Sequence, residues 1–312
     1  MVRALEVLRG SKAQLVEIDE SRLTEGEVLV DVTHSSLNYK DALAIQGRPG
    51  VIRADRLIAG IDLVGTRRDT GERVLVTGRG LGETHDGGLA GLARVPASWL
   101  MPVPERFTDA QAAAIGTAGF TAALCVLRLA DLEGPVLVTG STGGVGSLAI
   151  MLLARAGREV AAVTGKASAH NHLRMLGATT IIDRAELEAP GKPLQSERWA
   201  GAIDTVGGTI LANVLSQTRY GGTVAACGLA ASTEVTASMM PFILRAVTLA
   251  GVNSVFTPGV ESSAAWRLLE RDLDTDVLDA ITASIDLADA MAAAERMLAG
   301  QTTGRIVVAT GE

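Results

Sequence analysis

The chain is poor in aromatic residues and has few cysteines. Only 3% of its 312 residues are aromatic, and the two cysteines, Cys125 and Cys227, both lie in apolar segments. Two thiols so placed make neither a disulfide framework nor a metal cluster, so we interpret them as small buried side chains. The remaining composition, 47% hydrophobic and 20% charged with 35 glycines, is typical of an ordered α/β protein.

Long basic runs and long apolar runs are also missing. No basic run exceeds two residues, and a net charge of -7 with interspersed signs argues against a nucleic-acid partner. Residues 1–7 are charged too early for a signal peptide, and no run of eighteen apolar residues occurs, which argues against a membrane partner. We therefore expect a cytoplasmic protein.

A strand, a glycine turn, a helix and a second strand follow one another between Pro135 and Lys166. The apolar run 136–139 leads into a glycine-rich turn at 140–146, and a helix is predicted over 147–156. The apolar run 159–164 completes a βαβ unit of about thirty residues. That context is the one a dinucleotide-binding turn requires.

The glycines of this turn indicate a close approach between backbone and phosphate. A pyrophosphate reaches the free N–H groups of a helix only where no Cβ blocks it, which Gly143, Gly144 and Gly146 satisfy. Ser141 replaces the first glycine of the usual motif. The motif alone is also compatible with a tight turn of any α/β protein, but the flanking strand and helix favour dinucleotide binding.

The end of the second strand indicates which nicotinamide cofactor is bound. NAD enzymes usually place an acidic residue there, whereas this chain has Thr164, Gly165 and Lys166. A hydroxyl, an open turn and an ammonium group suit a 2′-phosphate, so the sequence favours NADPH. Arg184, beyond the next predicted strand, supplies a second cation or stacks on the adenine; a solvated surface charge is the alternative for both basic residues.

The first hundred residues predict a different architecture. Short β-branched runs separated by glycine and charged turns indicate a small barrel or folded sheet, and residues 57–65 read as one of its strands. Polar side chains crowd at the end of the third strand, where a short helix begins at Asn38 and carries Tyr39 and Asp41. We expect a catalytic domain to present groups to the cofactor there.

Several segments of the chain carry a resemblance to a known family. The chain resembles the zinc-free, quinone-oxidoreductase-like branch of the medium-chain dehydrogenase/reductase superfamily, and within it the NADPH-dependent acryloyl-coenzyme A reductases. The matching segments cover nearly the whole chain and comprise residues 35–43, 60–62, 116–122, 139–146, 199–207, 220–222, 224–229 and 240–245.

The resemblance implies a fold and a domain organisation. It implies a Rossmann doubly wound parallel sheet for the NADPH-binding domain, over residues 119–254. A GroES-like β-rich catalytic domain is implied for residues 1–118, with a return segment at 255–312. It also implies a homodimer, and a pairing of sheet edges near residues 247–252 would produce one.

The resemblance also assigns site residues. It implies that Tyr39 borders the nicotinamide and that residues 164–166 and Arg184 take the 2′-phosphate end. The remaining implied cofactor contacts are the pyrophosphate turn, Thr142, Gly143, Gly144, Val145 and Gly146, and four residues of later segments, Leu229, Ile243, Ser254 and Arg305.

No metal site is expected. A catalytic zinc needs three ligands among Cys, His, Asp and Glu, and zinc-dependent relatives place a cysteine where this chain has Asn38. They also have a His–Glu pair at the position of Ile61 and Asp62. His85 lies in a polar loop, and for this residue a structural hydrogen-bonding role is favoured over a catalytic one.

The implied reaction is a hydride transfer to the β-carbon of an alkene conjugated to a thioester, acryloyl-CoA to propanoyl-CoA. Tyr39 is the candidate for proton delivery or hydrogen bonding to the enolate, Asn38 for a further donor and Asp41 for orienting the loop. A core role is the alternative for Tyr39 and Asp41, and solvent is the alternative acid. An NADPH:quinone or alkenal reductase and a non-catalytic NADPH sensor remain open. Cations placed for the phosphates of coenzyme A would favour the thioester over a quinone, and Arg48, Arg53 and Arg56 are the candidates. Solvated surface charges are the alternative for these three residues.

Overall fold

The computed structural model describes residues 1 to 311 as a mixed α/β protein. In chain order the described strands are β1 (Val2–Leu8), β2 (Gln14–Ile18), β3 (Val28–Ser36), β4 (Arg56–Ile58), β5 (Asp62–Arg67), β6 (Arg73–Thr77), β7 (Leu92–Val95), β8 (Met101–Pro102), β9 (Val136–Val138), β10 (Val160–Thr164), β11 (Thr180–Asp183), β12 (Trp199–Asp204), β13 (Thr218–Ala226), β14 (Thr248–Gly251), β15 (Thr282–Asp286) and β16 (Arg305–Ala309). The helices are α1 (Tyr39–Ile45), α2 (Asp109–Arg128), α3 (Gly144–Arg155), α4 (His170–Met175), α5 (Ala185–Glu188), α6 (Gly208–Gln217), α7 (Met240–Arg245), α8 (Gly259–Asp272), α9 (Thr275–Ala280) and α10 (Ala290–Leu298).

The chain divides into two compact units. The first contains Met1–Ala118, Ser254–Phe256 and the chain from Thr275 onward, and the second contains Gly119–Asn253 and Thr257–Asp274. The predicted return segment at 255–312 therefore differs from the structure. Helix α8 lies with the second unit because the Trp266 ring stacks on Phe120 and Arg128 pairs with Glu261 at 2.8 Å.

The second unit is built on a six-stranded sheet in the order β11-β10-β9-β12-β13-β14, in which all neighbours are parallel. Apolar residues of the central strands, such as Leu137, Ala202 and Val224, pack against α6. This is the order of a Rossmann doubly wound sheet, in which ligands bind beyond the carboxyl ends of the strands. Helix α3 begins at Gly144, three residues before the predicted start, so glycines 144 and 146 form its first turn.

The first unit contains two largely antiparallel sheets, as the β-rich pattern predicts. One has the order β2-β1-β4; the other has the order β15-β16-β3-β5-β6-β8, with β7 also paired to β3. The single strand predicted over 57–65 is wrong. Gly60 lies between β4 and β5 and has φ 106°, which bends the chain there. The position requires glycine, because a Cβ would meet the backbone of Leu89 at 2.6 Å.

Helix α2 is broken at Gly116, where the sequence predicts an interruption. Gly116 has φ 44° and ψ -155°, and a Cβ at this residue would meet Asp62 Oδ2 at 2.5 Å. By length and composition α2 is also the one helix among residues 1–311 that could cross a membrane. Most of its apolar stretch is buried inside the protein, which is typical of a core helix.

Candidate active site

The glycine turn of the second unit leaves the first N–H groups of α3 uncovered. Gly143 is the N-cap residue and has no capping side chain, and Ser147 is the first residue whose N–H reaches a helical acceptor, the Gly143 carbonyl at 2.9 Å. The N–H groups of Gly144, Val145 and Gly146 precede that bond and point out of the helix end. A Cβ on Gly146 would meet the Gly140 carbonyl oxygen at 2.4 Å, so the turn closes only without one.

Thr142 is half-buried beside this turn, while Ser141 is fully buried. The Ser141 hydroxyl donates to the Val138 carbonyl at 2.7 Å, which ties the turn to the end of β9. The serine at this position, where the usual motif has glycine, therefore stabilises the turn. The turn, the free N–H groups and the helix dipole together suit a pyrophosphate.

Two cations lie side by side at the end of β10. The Arg184 guanidinium carbon lies 3.2 Å from the position of a Cβ on Gly165, and Arg184 Nε pairs with Glu188 at 2.7 Å. The buried Thr164 hydroxyl accepts the Lys166 backbone N–H at 3.0 Å and shapes the turn. Partial burial and, second, the charge of Arg184 lower the pKa of Lys166. Neighbouring cations of this kind attract a phosphate dianion.

A cavity of about 550 Å³ opens at the carboxyl ends of β12, β13 and β14. Leu229 is exposed on its wall, with Cys227 and the glycine pair 207–208. Beneath it the buried Asp204 carboxylate accepts the Thr139 hydroxyl at 2.7 Å and the Gly207 N–H at 2.8 Å. Burial raises the pKa of Asp204. Ile243, on α7, is an exposed apolar side chain of the same unit.

A buried carboxylate organises the polar residues of the first unit. Asp62 Oδ2 accepts the Ser36 hydroxyl at 2.6 Å and Asn38 Nδ2 at 2.8 Å. Asp62 Oδ1 accepts the backbone N–H and the hydroxyl of Thr117, at 2.9 and 2.6 Å. One side chain thus joins the start of α1 to the break in α2.

Asp41 fixes the first turn of α1. Its Oδ2 accepts the Asn38 backbone N–H at 2.8 Å and Asn38 Nδ2 at 3.1 Å, and its Oδ1 accepts the Ile61 N–H at 2.9 Å. Burial and the neighbouring Asp62 carboxylate raise the pKa of Asp41 to about 7. The side chain is fully enclosed, so its contacts are those of an orienting residue.

Arg305, from the last strand, lies beneath Asn38. Its Nε donates to the Ala114 carbonyl at 2.5 Å and its Nη1 to Asn38 Oδ1 at 3.2 Å, while Nη2 is buried without a partner among residues 1–311. Burial lowers the pKa of Arg305, and the carboxylates of Asp62 and Asp41 oppose that shift. With 3% of its surface exposed, Arg305 acts on Asn38 in this structure.

Tyr39 is the first helical residue of α1 and stands 46% exposed above this network. The Asn38 amide, a predicted donor, directs its N–H groups at Asp62 and Asp41, and the residue is 9% exposed. Ser254 lies elsewhere in the same unit, with its carbonyl 3.2 Å from the position of a Cβ on Gly78.

The cations proposed for a coenzyme A moiety have different environments. Arg56 is engaged internally, with Nε 2.6 Å from Glu6 Oε1 and Nη1 donating to the Arg22 carbonyl. Arg53 pairs with Glu83 at 3.0 Å, and Arg48 is exposed. His85 contacts the Thr24 hydroxyl and the Glu25 carbonyl at 3.1 and 3.0 Å, which is the structural role predicted for it.

Comparison with known proteins places this geometry in a family. Residues 144–271 match the family model described as "Zinc-binding dehydrogenase". The chain is 47% identical over 308 residues, 95% of each chain, to the probable acrylyl-CoA reductase AcuI of Escherichia coli. It is 44% identical over 311 residues, 96% of this chain and 94% of the relative, to the acrylyl-CoA reductase AcuI of Ruegeria pomeroyi. The crystal structure of Escherichia coli K-12 YhdH with bound NADPH superimposes with a TM-score of 0.96 and 46% identity, covering 99% of this chain and 100% of that one. The chain belongs to the medium-chain dehydrogenase/reductase superfamily.

Membership of the medium-chain dehydrogenase/reductase superfamily confirms the Rossmann and GroES-like architecture predicted from the sequence. The matched family model is described as zinc-binding, yet residues 1–311 contain no cluster of three His, Cys, Asp or Glu side chains. Asn38 and Asp62 occupy positions at which the resemblance places zinc ligands, and here they are bonded to each other.

Several residues of this network are not among the predicted site residues. Asp62, Ser36 and Thr117 lie in the segments that carry the resemblance, but the sequence contains no sign that they share one carboxylate. The polarity of Asp62 and Thr117 beside glycines 60 and 116 is a signal that could have indicated them, since a glycine in the left-handed region marks a close approach. The hydrogen bonds of Asp62 join residues up to 55 positions apart.

Proposed function

We propose that this protein reduces the carbon–carbon double bond of an α,β-unsaturated coenzyme A thioester with NADPH, converting acrylyl-CoA to propanoyl-CoA. The observation that carries the proposal is the identity of 47 and 44% to two acrylyl-CoA reductases over nearly the whole chain. An oxidoreductase of this superfamily acts on a small molecule, and a thioester-conjugated alkene accepts hydride without a Lewis acid.

The residues of the second unit fit NADPH. The pyrophosphate would lie on the N–H groups of residues 144–146, with Thr142 and Gly143 beside it, and the adenosine 2′-phosphate would lie between Lys166 and Arg184. Leu229 and Ile243 would cover the cofactor with exposed apolar surface. Lys166 follows β10 in the place where NAD enzymes usually have a carboxylate. A 2′-phosphate is therefore attracted there rather than repelled.

Bound NADPH supplies a hydride to the β-carbon of the alkene. Tyr39 would border the nicotinamide and give a proton to the α-carbon or a hydrogen bond to the enolate oxygen, because its ring is accessible at the start of α1. Asn38 and Asp41 serve as positioning residues in this proposal, and Arg305 holds the Asn38 amide from below. Ser254 is proposed as a cofactor contact from its own loop.

The proposal includes independence from zinc. The Asn38 amide is a poor zinc ligand, and its two N–H groups are already directed at carboxylate oxygens. Asp62 likewise accepts four hydrogen bonds. A reducing compartment, and so a cytoplasmic location, suits the free thiols of Cys125 and Cys227.

The test is oxidation of NADPH with acrylyl-CoA, measured beside crotonyl-CoA, a simple quinone and NADH. We expect turnover with acrylyl-CoA and NADPH, and Tyr39→Phe should lower kcat by about 100-fold. Tyr220→Phe, which changes the other tyrosine of the chain, is the matched control and should leave kcat unchanged. Faster turnover of the quinone would favour a quinone reductase, and NADPH binding without any oxidation would favour a sensor.

We also propose that two copies pair through β14. This strand ends the parallel sheet, and Thr248, Leu249 and Gly251 are exposed along it. An uncovered strand edge with apolar residues offers backbone hydrogen bonds to a second copy about a two-fold axis. Light scattering should give the mass of a dimer, and Leu249→Lys should shift it to that of a monomer; a wild-type monomer at the same concentration would contradict the pairing.

A further inference from the structure

The loop at residues 78–85, hereafter the 78–85 loop, carries an arginine in a backbone conformation that side chains rarely adopt. Arg79 has φ 56°, between Gly78 at 70° and Gly80 at 89°. The left-handed region crowds the Cβ of every residue except glycine, so an arginine raises the energy of this turn. Strain of this kind is concentrated at functional sites.

The Arg79 guanidinium has no partner for its charge. It is half-buried, and it makes no hydrogen bond, ion pair or ring contact with any of residues 1–311. The other half-buried arginines of the first unit all pair with carboxylates: Arg56 with Glu6, Arg67 with Asp69, Arg73 with Asp109 and Arg94 with Glu20. None of its nitrogen atoms is among the buried polar atoms of residues 1–311 that lack a partner, so the guanidinium is accessible to an anion from outside the chain.

The loop is bonded to three other segments of the first unit. The Gly78 N–H donates to the Ile61 carbonyl at 2.9 Å, one residue from Asp62, and the Arg79 N–H donates to the Val255 carbonyl at 3.2 Å. Further along the loop, Glu83 pairs with Lys40, the residue after Tyr39. Arg79 therefore lies on a loop of the same unit that is bonded, through Gly78 and Glu83, to the neighbours of Asp62 and Tyr39.

The local charge is positive although the whole chain carries -7. The Glu83 carboxylate is shared between Lys40 and Arg53, so it neutralises only one of these two cations. Lys40, Arg53, Arg79 and Glu83 together therefore carry two positive charges in excess. A positive patch attracts phosphate groups, whereas an uncharged quinone gains no such attraction.

We propose that Arg79 binds a phosphate group of the coenzyme A moiety and so sets the preference for coenzyme A thioesters; this inference rests on the proposed function. The phosphates of NADPH have their own donors in the second unit, at the start of α3 and at Lys166 and Arg184. The arginine guanidinium matches a phosphate with two parallel N–H donors. Arg79 is thus a specificity-determining residue.

The experiment compares acrylyl-CoA with acrylyl-pantetheine, which has the same reacting alkene and thioester but no diphosphate or 3′-phosphate. Wild-type protein should favour the coenzyme A ester by at least about 10-fold in kcat/KM. Arg79→Gln should raise KM for acrylyl-CoA by about 10-fold, leave kcat unchanged and leave both constants for acrylyl-pantetheine unchanged. Arg79→Lys should restore part of the difference.

Arg3→Gln is the matched control, since Arg3 is an exposed arginine of the same unit on β1, and it should change neither substrate. Arg79→Gly should raise the midpoint of thermal unfolding because it removes the strained Cβ, while losing the coenzyme A preference like the glutamine variant. A glutamine variant that retains the preference, or one that raises KM for NADPH instead, would overturn the inference.

Binding of free coenzyme A separates this inference from the proposed reaction. Calorimetry should show binding to the wild-type protein that weakens by about 10-fold in Arg79→Gln and with added salt. If acrylyl-CoA is not reduced but coenzyme A binding depends on Arg79, the reaction is wrong and the inference stands. If acrylyl-CoA is reduced but coenzyme A binding is the same in both proteins, the inference is wrong and the reaction stands.

Discussion

Asp62 and Thr117 are joined twice, because one carboxylate oxygen of Asp62 accepts both the backbone N–H and the hydroxyl of Thr117. The two residues lie 55 positions apart, on β5 and directly after the break in α2. Asp62 uses its other oxygen for Ser36 and Asn38. The residue before the proposed catalytic tyrosine and the bend of a core helix therefore depend on a single buried side chain.

Asp62→Asn should destabilise the protein and reduce its activity. The amide nitrogen of the new side chain can only donate, so it would face other donors, such as the Ser36 hydroxyl and the Asn38 amide. At least one buried group would then lose its hydrogen-bond partner. We expect a loss of about 2 to 3 kcal/mol in the free energy of unfolding, measured by urea denaturation. Thr117→Val is the matched control, which removes one hydroxyl and should cost about 1 kcal/mol. Equal urea midpoints for wild type and Asp62→Asn would contradict the role of this carboxylate.

Asp41 should make the stability fall as pH rises. Its pKa is about 7 in the folded protein, against an ordinary value of 3.8, so the folded state binds the proton over a range in which the unfolded chain has released it. The contribution is complete below about pH 4 and is lost as pH passes 7; integrated, it amounts to at most about 4 kcal/mol.

Urea unfolding of wild type and Asp41→Asn between pH 4 and 8 measures this contribution. The wild-type free energy of unfolding should decline over that range more steeply than that of the variant, whose side chain does not titrate. Parallel pH profiles for the two proteins would show that Asp41 does not carry the proton.

Gly146→Ala and Gly143→Ala should differ sharply, although both enter the same turn. An added Cβ would meet the Gly140 carbonyl oxygen at 2.4 Å from residue 146 but at 3.3 Å from residue 143. We expect Gly146→Ala to cost about 2 to 3 kcal/mol, because the contact is with backbone, and Gly143→Ala to cost less than about 1 kcal/mol. Thermal unfolding of both variants measures the difference, and similar losses at both positions would contradict the geometry of the turn.

Lys166→Ala and Arg184→Ala should each weaken NADPH binding without affecting NADH. A charge-assisted hydrogen bond to the 2′-phosphate is worth about 1.5 to 3 kcal/mol, which corresponds to an increase of about 10- to 100-fold in Kd. Arg155→Ala, at the opposite end of α3, is the control and should change neither Kd. Fluorescence titration with the two cofactors gives the values. A parallel loss of NADH affinity would show that the residues shape the turn instead of binding the phosphate.

The parallel sheet follows from the sequence more completely than the antiparallel ones. Strands such as Val160–Thr164 are buried at every position, apolar except at the last residue, and alternate with helices, so a parallel sheet can be predicted. The strand predicted at 57–65 is wrong, because local pattern does not reveal that Gly60 turns the chain from one sheet to another.

The candidate site also contains a local part that can be predicted from the sequence and a long-range part that cannot. The cofactor turn lies within one βαβ unit, and its glycines can be named from spacing and glycine content, whereas Thr142 and Val145 follow from the resemblance. The network around Asn38 is assembled from β3, β5, α2 and β16, and no local pattern indicates that Arg305 lies beneath a residue 267 positions earlier. Long-range polar contacts of this kind depend on topology, which the sequence does not show directly.

The placement of β16 has a consequence for the order in which the protein is made. Val307 and Val308 pair with Ser36 and Ser35, so the edge of β3 beside Asn38 acquires its neighbour only when β16 leaves the ribosome. Until then the nascent first unit retains an open strand edge, while every strand of the parallel sheet has already been synthesised. Chaperone contacts and proteolytic cleavage during translation should therefore concentrate on the N-terminal segment, and the arrival of Arg305 should end that period.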